Sequence, residues 1–455
     1  MVVCFFFSEG CTPTKTMVAS GRTAYLARRG RDYGVHTENR KAGVEELSLD
    51  GNKVNDVHVD MLKVRQRKRD IVKSFQGGNE SRTVSAGVEV LMGEAGFTGA
   101  KTLKVLMNDG TEKVVEGDKF FINVGERPAP PILEGLSSLD PSRILDSTSI
   151  QELDVVPTHL VVIGGGYVGV EFAQLFRRLG AEVTVLQRGQ QLLGREDREV
   201  ADCLLDILRE DGLTIHLESA ALSISSLPSG SFDLAIQIGK EGREDLIHGT
   251  HILFAAGRIP NTESLNLPAA GIEMDKRGYV VANEFLETSN GNMWVMGDAK
   301  GPPAFTHISY DDYRIILRNI LNPASANSAK LSTKDRQVPY VVYTDPQLGH
   351  IGLHEHEARA LYPSDPKRIK VAKMPMAYVA RALETDESRG MMKAVVDSET
   401  GMILGFTCLG IEGGEVMAVV QMAMMGNLSW ERLRDTVWAH PSLAESLNNL
   451  WAFLE

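Results

Sequence analysis

The sequence predicts an α/β fold built from several domains, and three observations carry that prediction. The chain has 455 residues, more than one hydrophobic core ordinarily holds, which implies two to four domains. Residues 159–188, HLVVIGGGYVGVEFAQLFRRLGAEVTVLQR, run as buried strand, glycine-rich turn, amphipathic helix and second strand, a unit of a parallel sheet. The last stretch, residues 338–455, mixes short strands with two or three helices, the pattern of a separate α+β domain.

Composition narrows the class. A hydrophobic fraction of 43% and a charged fraction of 24% are ordinary for a soluble globular protein. The net charge of 48 − 60 = −12, without a long basic run, argues against nucleic acid or an anionic membrane as partner. The longest apolar run, Val416 to Met425, is too short to span a bilayer and is interrupted by Gln421. Cys4, Cys11, Cys203 and Cys408 are too scattered for a secreted disulfide framework. The opening MVVCFFF lacks the basic flank of a signal peptide. A cytoplasmic enzyme is expected.

In chain order, residues 12–29 are expected to be helical, with Pro13 in the first turn and Val18, Tyr25 and Leu26 on one face. Residues 84–124 alternate β-rich runs with turn signals, MNDG at 107–110 and EG at 116–117, as an antiparallel meander does. RPAPPILEGL, Arg127 to Leu136, is a proline-rich crossing between domains. Residues 250–257 and 293–297 are further buried strands that end in glycine, and 322–337 is a polar linker.

The turn Gly164-x-Gly166-x-x-Gly169 has its strand before it and its helix after it, the Rossmann-like dinucleotide arrangement. Gly164 permits the tight turn, Gly166 lets backbone approach a pyrophosphate, and Gly169 lets helix and strand pack closely. The helix N-terminus then faces the phosphates. An NAD site usually places Asp or Glu at the end of the second strand. Here that position is Gln187, followed by Arg188, with Arg195 further on. A guanidinium pairs with a 2′-phosphate that a carboxylate repels, so NADPH is favoured, with NADH as the alternative. Arg188 as a plain solvated loop residue is the competing reading. A second nucleotide site is suggested by MWVMGDA, Met293 to Ala299, whose strand aims Asp298 at sugar or ribitol hydroxyls. Gly-Asp is also a common turn.

Together GCTPTK (10–15), INVGERP (122–128), VVIGGGYVGVEFA (161–173), AAGRIPN (255–261), VMGDAKG (295–301), FTHISYDDYRII (305–316), YTDPQLGHIGL (343–353) and HPSLAE (440–445) resemble the class I pyridine nucleotide-disulfide oxidoreductases. The similarity is greatest to the mercuric-reductase-like and dihydrolipoamide dehydrogenase-like branches. The matching stretches keep the family's order across nearly the whole chain. The resemblance implies an FAD-dependent NAD(P)H oxidoreductase and four segments. Residues 1–145 form a partial FAD-binding domain with the redox helix and meander, and 146–270 the NAD(P)-binding domain. Residues 271–337 return to the FAD domain, and 338–455 form the dimerisation domain of a homodimer.

By the same resemblance Cys11 is the redox cysteine nearest the flavin, and Lys15 with Glu171 is the charged pair beside its reactive nitrogen. Asp298, after Gly297, holds the ribitol. Gly257 and Arg258 join Gly164, Gly166, Gly169, Gln187 and Arg188 among the cofactor-binding residues. His440 and Glu445 are the pair in which a carboxylate orients a proton-shuttling histidine across the dimer interface. A buried dimer-contact histidine is the alternative for His440. No metal is implied.

Two departures stand out. Family members open with a flavin-binding β-α-β unit some forty residues before the redox helix, and this sequence has none. The family's first redox cysteine falls at Phe6, while Cys4 lies seven residues before Cys11, a spacing that only a loop brings together. The resemblance starts abruptly at Glu9 or Gly10, after CFFFS, so the expectation is a misplaced start and a longer native chain. The competing reading is a true short protein without disulfide chemistry: a single-cysteine diaphorase or oxidase, or a flavin-free NADP-binding dimer. The tail SLNNLWAFLE lacks a cysteine pair, so the acceptor is expected to be a disulfide or other small molecule and not mercuric ion.

Overall fold

The computed structural model describes residues 10–35, 57–321, 330–334 and 336–455. Cys4, Phe6 and most of the expected linker lie outside the described residues. The chain divides into two compact units, one of residues up to Cys11, Val72–Pro130 and Gly257–Tyr340, the other of Thr12–Ile71, Pro131–Ala256 and Val341–Glu455. No helix among the described residues is long and apolar enough to cross a membrane.

In the first unit Gly93–Gly99, Thr102–Met107 and Glu112–Glu116 form the expected antiparallel meander. Its tight turn is set by Asp109, whose Oδ1 accepts from the Thr111 N–H at 2.9 Å and the Thr111 hydroxyl at 2.6 Å, and by Gly110 at φ +84. Strands Phe120–Ile122 and Met293–Val295 pair in parallel. Phe97, Leu103, Phe120, Ile122, Met293 and Val295 close one core between these strands and the meander.

The second unit holds a five-stranded parallel sheet in the order Ile144–Leu145, His251–Phe254, His159–Ile163, Glu182–Leu186, Thr214–His216. The β-α-β unit is present as expected: helix Tyr167–Leu179 joins the third and fourth strands of that order. This helix is buried on more than one face, and its polar residues are paired in consequence. Arg178, 5% exposed, bonds Asp345 and Asp211 while its guanidinium lies 3.8 Å over the Tyr25 ring. A second five-stranded sheet runs Tyr340–Val342, Gln347–Gly352, Ile403–Gly410, Met391–Asp397, Ile369–Pro375. Helix Gly413–Met425 packs Val416, Met417, Val420 and Ala423 into that sheet's core.

Several expectations are corrected. The first helix runs Cys11–Arg28, and its buried stripe is Pro13, Thr14, Thr16, Met17, Gly21 and Ala24; Leu26 is 42% exposed and Val18 and Tyr25 are half-buried. Close helix packing is the reason. A Cβ on Gly21 would lie 2.7 Å from Leu175 Cδ1, so at that contact the face requires a residue without a side chain. The region 338–455 holds five α-helical segments, Glu355–Leu361, Ala380–Glu384, Gly413–Met425, Trp430–Arg434 and Ser446–Asn449, against the two or three expected. Helix Met61–Ser85 was not anticipated. It carries Lys63, Arg65, Arg67, Lys68 and Arg69, yet each of these has a partner within the chain, Lys63 pairing with Asp60 at 3.6 Å. Lys68 and Arg69 share the Glu152 carboxylate. Arg65 donates to the Glu152 carbonyl at 2.7 Å and Arg67 to the Thr16 carbonyl at 2.9 Å.

A buried lysine of the C-terminal sheet joins it to the nucleotide-binding segment. Lys393 is 1% exposed, and its ammonium lies 2.8 Å from Asp197, 2.7 Å from Glu199 and 2.8 Å from Glu355. Burial pushes the Glu199 carboxyl up, but hydrogen bonds from Lys373 and Lys393 prevail and bring it from 4.5 down to about 2. Lys393→Met leaves three carboxylates facing one another with no central cation, a loss of about 3–5 kcal/mol in urea unfolding at neutral pH. Because the folded-state value of Glu199 is depressed, its stabilisation is complete above pH 4.5 and is lost as pH falls toward about 2. In Glu199→Gln that part of the acid destabilisation should disappear.

Candidate active site

The three glycines of the nucleotide turn occupy three different environments. Gly164 has φ +114, and a Cβ there would sit 2.9 Å from the Ala255 carbonyl oxygen. A Cβ on Gly169 would lie 1.9 Å from the Gly164 carbonyl oxygen, so helix and turn touch through backbone. Around Gly166, the N-cap of helix Tyr167–Leu179, a Cβ would meet nothing within 4 Å. Two of the glycines are demanded by the protein itself, and the third opens onto free space at a helix N-terminus whose first turn holds no acidic side chain. That is where a pyrophosphate fits.

At the end of the adjoining strand, Gln187 turns inward. Its Oε1 accepts from the Gly165 N–H at 3.1 Å and its Nε2 donates to the Gln191 carbonyl at 3.1 Å. Gln187 therefore braces the turn. Arg188 and Arg195 are exposed and form no hydrogen bond or ion pair among the described residues. Arg198 next to them is already paired with Asp202 at 2.8 Å.

Gly257 adopts φ +124, and Arg258 is engaged within the protein. Its Nε lies 2.6 Å from Glu126 Oε1, and the Tyr279 hydroxyl donates to Glu126 Oε2 at 3.0 Å. In the same unit Gly297 has φ +66, with room for no side chain: a Cβ would fall 2.7 Å from both Asn123 Oδ1 and Ser309 Oγ. The Gly297 N–H donates at 2.8 Å to Asp312, a fully buried carboxylate neutralised by Lys300 at 3.2 Å and Arg336 at 2.6 Å. This fixes the backbone that carries Asp298. Burial and then the Glu126 carboxylate hold the Asp298 carboxyl above its usual value, and its side chain accepts no hydrogen bond among the described residues. An acceptor so placed suits a polyhydroxyl ligand.

Helix Cys11–Arg28 presents Cys11 and Lys15 four residues apart, on one face. Cys11 is a free, exposed thiol among the described residues. The Lys15 ammonium lies 2.6 Å from Glu171 Oε2 and 4.9 Å from the Tyr343 ring centroid. Glu171 is 5% exposed, and its other oxygen accepts from the Tyr343 N–H at 2.8 Å. Sequence reasoning found the Lys15–Glu171 pair but missed Tyr343. That donor belongs to backbone, which has no residue-type signature. His440 and Glu445 also meet: His440 Nδ1 lies 2.9 Å from both carboxylate oxygens. The imidazole is 66% exposed, so burial is not its role within this chain. With Nδ1 engaged, Nε2 is the nitrogen left to exchange a proton.

One grouping among the described residues has metal-ligand chemistry. Donor atoms of the buried Glu196, His350 and His354 lie within 4.8 Å of one another. The geometry fits a packed cluster instead. The His350 and His354 rings stack at 4.0 Å and 16°, and two nearly parallel rings cannot both aim in-plane lone pairs at one ion about 2 Å away. His350 Nε2 also donates to the Gly352 carbonyl at 3.1 Å and Nδ1 lies 2.8 Å from the Thr407 hydroxyl. Burial brings His350 down to about 3, so it stays neutral.

Comparison with known proteins gives the family. Residues 5–312 match the family model described as pyridine nucleotide-disulphide oxidoreductase, and residues 338–451 match that family's dimerisation domain. The chain is 35% identical over 400 residues to the probable pyridine nucleotide-disulfide oxidoreductase RclA of Escherichia coli, covering 88% of this chain and 86% of that protein. It is 31% identical to the mercuric reductase of Staphylococcus aureus, with 96% and 74% covered, and 30% identical to the dihydrolipoyl dehydrogenase of Thermus scotoductus, with 96% and 87% covered. The structure of the HOCl-induced flavoprotein disulfide reductase RclA from Escherichia coli superimposes with a TM-score of 0.81 at 33% identity, covering 98% of this chain and 90% of that one. The chain belongs to the pyridine nucleotide-disulphide oxidoreductases, flavoprotein enzymes whose members use FAD and NAD(P)H to reduce disulfides or similar acceptors.

Proposed function

We propose that this chain is an NADPH-dependent flavin disulfide reductase, with Cys11 as the sulfur nearest the flavin and a small disulfide-bearing molecule as acceptor. The observation that carries the reading is the Lys15–Glu171 pair at 2.6 Å. It fixes an ammonium one helical turn beyond an exposed thiol. Bound FAD supplies a two-electron carrier between the reduced nicotinamide and sulfur.

The chain's own residues do the rest. Gly166 and the helix behind it receive the coenzyme pyrophosphate. Arg188 and Arg195, both exposed, face the 2′-phosphate, and neither has a protein carboxylate to release first. Asp298 accepts from ribitol hydroxyls. Lys15, held by Glu171, presents a positive charge where negative charge develops. Glu445 orients His440 so that Nε2 takes the proton of a substrate thiol and returns it. The match of residues 338–451 to a dimerisation domain supports a homodimer in which His440 serves the neighbouring protomer. Met422, Met425 and Val437, 65%, 60% and 96% exposed, supply apolar surface for it. A thiol enzyme of this kind works in the reducing cytoplasm.

The deciding experiment is NADPH oxidation by FAD-loaded protein with a small aromatic disulfide as acceptor. Cys11→Ser should lose disulfide reduction and keep reduction of a redox dye; unchanged disulfide turnover in that variant rejects the proposal. Arg188→Glu should shift the NADPH-to-NADH ratio of kcat/KM by about ten- to a hundredfold toward NADH, the value of one charge-assisted contact. An unmoved ratio means Arg188 does not meet the phosphate. His440→Gln should slow disulfide turnover by about 10²–10⁴-fold without slowing dye reduction. Sedimentation at micromolar concentration should give a dimer, and a monomer would remove His440 from the mechanism.

A further inference from the structure

Tyr343 touches both members of the Lys15–Glu171 pair. Its backbone N–H donates to Glu171 Oε1 at 2.8 Å, and the Lys15 ammonium lies over its ring, 4.9 Å from the centroid. The backbone here is held without help from the ring. From helix Tyr167–Leu179, Glu171 accepts the Tyr343 N–H, Gln174 accepts the Asp345 N–H at 2.8 Å, and Arg178 donates to the Asp345 carbonyl at 2.8 Å. Positions 171, 174 and 178 follow the i, i+3, i+7 spacing of one helix face. The helix therefore fixes the backbone that carries the ring. Lys15, in contrast, ends in an ammonium on a flexible four-carbon stem, and its side chain is 29% exposed. A single ion pair at such a site holds a long side chain only weakly.

We propose that Tyr343 is a positioning residue whose ring holds the Lys15 ammonium against Glu171, so that its remaining side is presented to the flavin. This rests on Lys15 being the cation beside the flavin. A lysine bonded to one carboxylate swings about that contact. An aromatic face on a second side attracts the same charge through its quadrupole and removes that freedom. With the carboxylate on one side and the ring on another, one side of the ammonium is left for a ligand. The phenol hydroxyl takes no part, so a phenylalanine ring serves equally. The contact acts on the rate of flavin reduction and not on coenzyme binding, because a fixed ammonium matters most where negative charge develops.

Two measurements on the full chain test this. Brief acetylation with acetic anhydride, read by peptide mass spectrometry, reports how often the Lys15 amine leaves its contacts, with Lys63, 87% exposed, as internal standard. Tyr343→Leu should raise the Lys15-to-Lys63 labelling ratio about two- to fivefold, the worth of an exposed cation–π contact, and Tyr343→Phe should match the parent. In FAD-loaded protein, the single-turnover rate of flavin reduction by NADPH should fall by the same factor in Tyr343→Leu at an unchanged half-saturating NADPH concentration, and Tyr343→Phe should restore it. A labelling ratio that does not move in Tyr343→Leu overturns the proposal. So does a raised ratio with flavin reduction at the parent rate, since the ring then serves packing alone. A Tyr343→Phe variant that follows Tyr343→Leu assigns the effect to the hydroxyl and overturns it as well. Equal melting temperatures verify that both variants fold. Neither measurement involves a disulfide, so a failure of the acceptor assays on Cys11→Ser leaves this result standing.

Discussion

Glu171 is the residue on which much of this arrangement depends. It sits inside the nucleotide-binding helix, nearly fully buried, and one carboxylate takes a hydrogen bond from Lys15, 156 positions earlier, and another from the Tyr343 backbone, 172 positions later. A carboxylate in that position is stable only while both donors are present. Their presence fixes the rotation of the first helix and the entry of the chain into the C-terminal sheet. The same charge that closes the fold holds the ammonium one helical turn beyond the exposed Cys11 thiol. Folding and chemistry therefore impose one requirement on one side chain.

The parts of the fold that sequence made legible have local causes. Gly164 and Gly169 are dictated by contacts inside the turn, and Asp109–Gly110 by the geometry of a two-strand reversal. The parts that were missed have distant causes. Helix Met61–Ser85 buries only Met61 and Lys68, so it has no apolar stripe to detect; it is held by Glu152, more than eighty residues away. The face of the first helix was misjudged because tight packing favours Gly21 over the larger Leu26. Within the site, paired side chains such as Lys15–Glu171 and His440–Glu445 were recoverable from the family resemblance. Their partners in backbone, and the inward turn of Gln187, depend on coordinates that no residue type announces.

Internal pairing also shapes what this acidic chain offers to solvent. With a formal charge of −12 it repels anions in general, and many of its arginines and lysines are held by internal carboxylates: Arg178 by Asp211 and Asp345, Lys393 by three acids, Arg258 by Glu126. Arg188 and Arg195 stand apart from that pattern. Both are exposed and without an ion pair among the described residues, so their positive charge is shown to solvent.

The inward turn of Gln187 separates two tasks at the strand end. Because its amide ties Gly165 to Gln191, the part of the strand end that holds the glycine turn is distinct from the part that displays charge. Residue 188 is exposed and lies outside that tie, so a substitution there changes the charge shown to solvent while both hydrogen bonds of Gln187 stay in place.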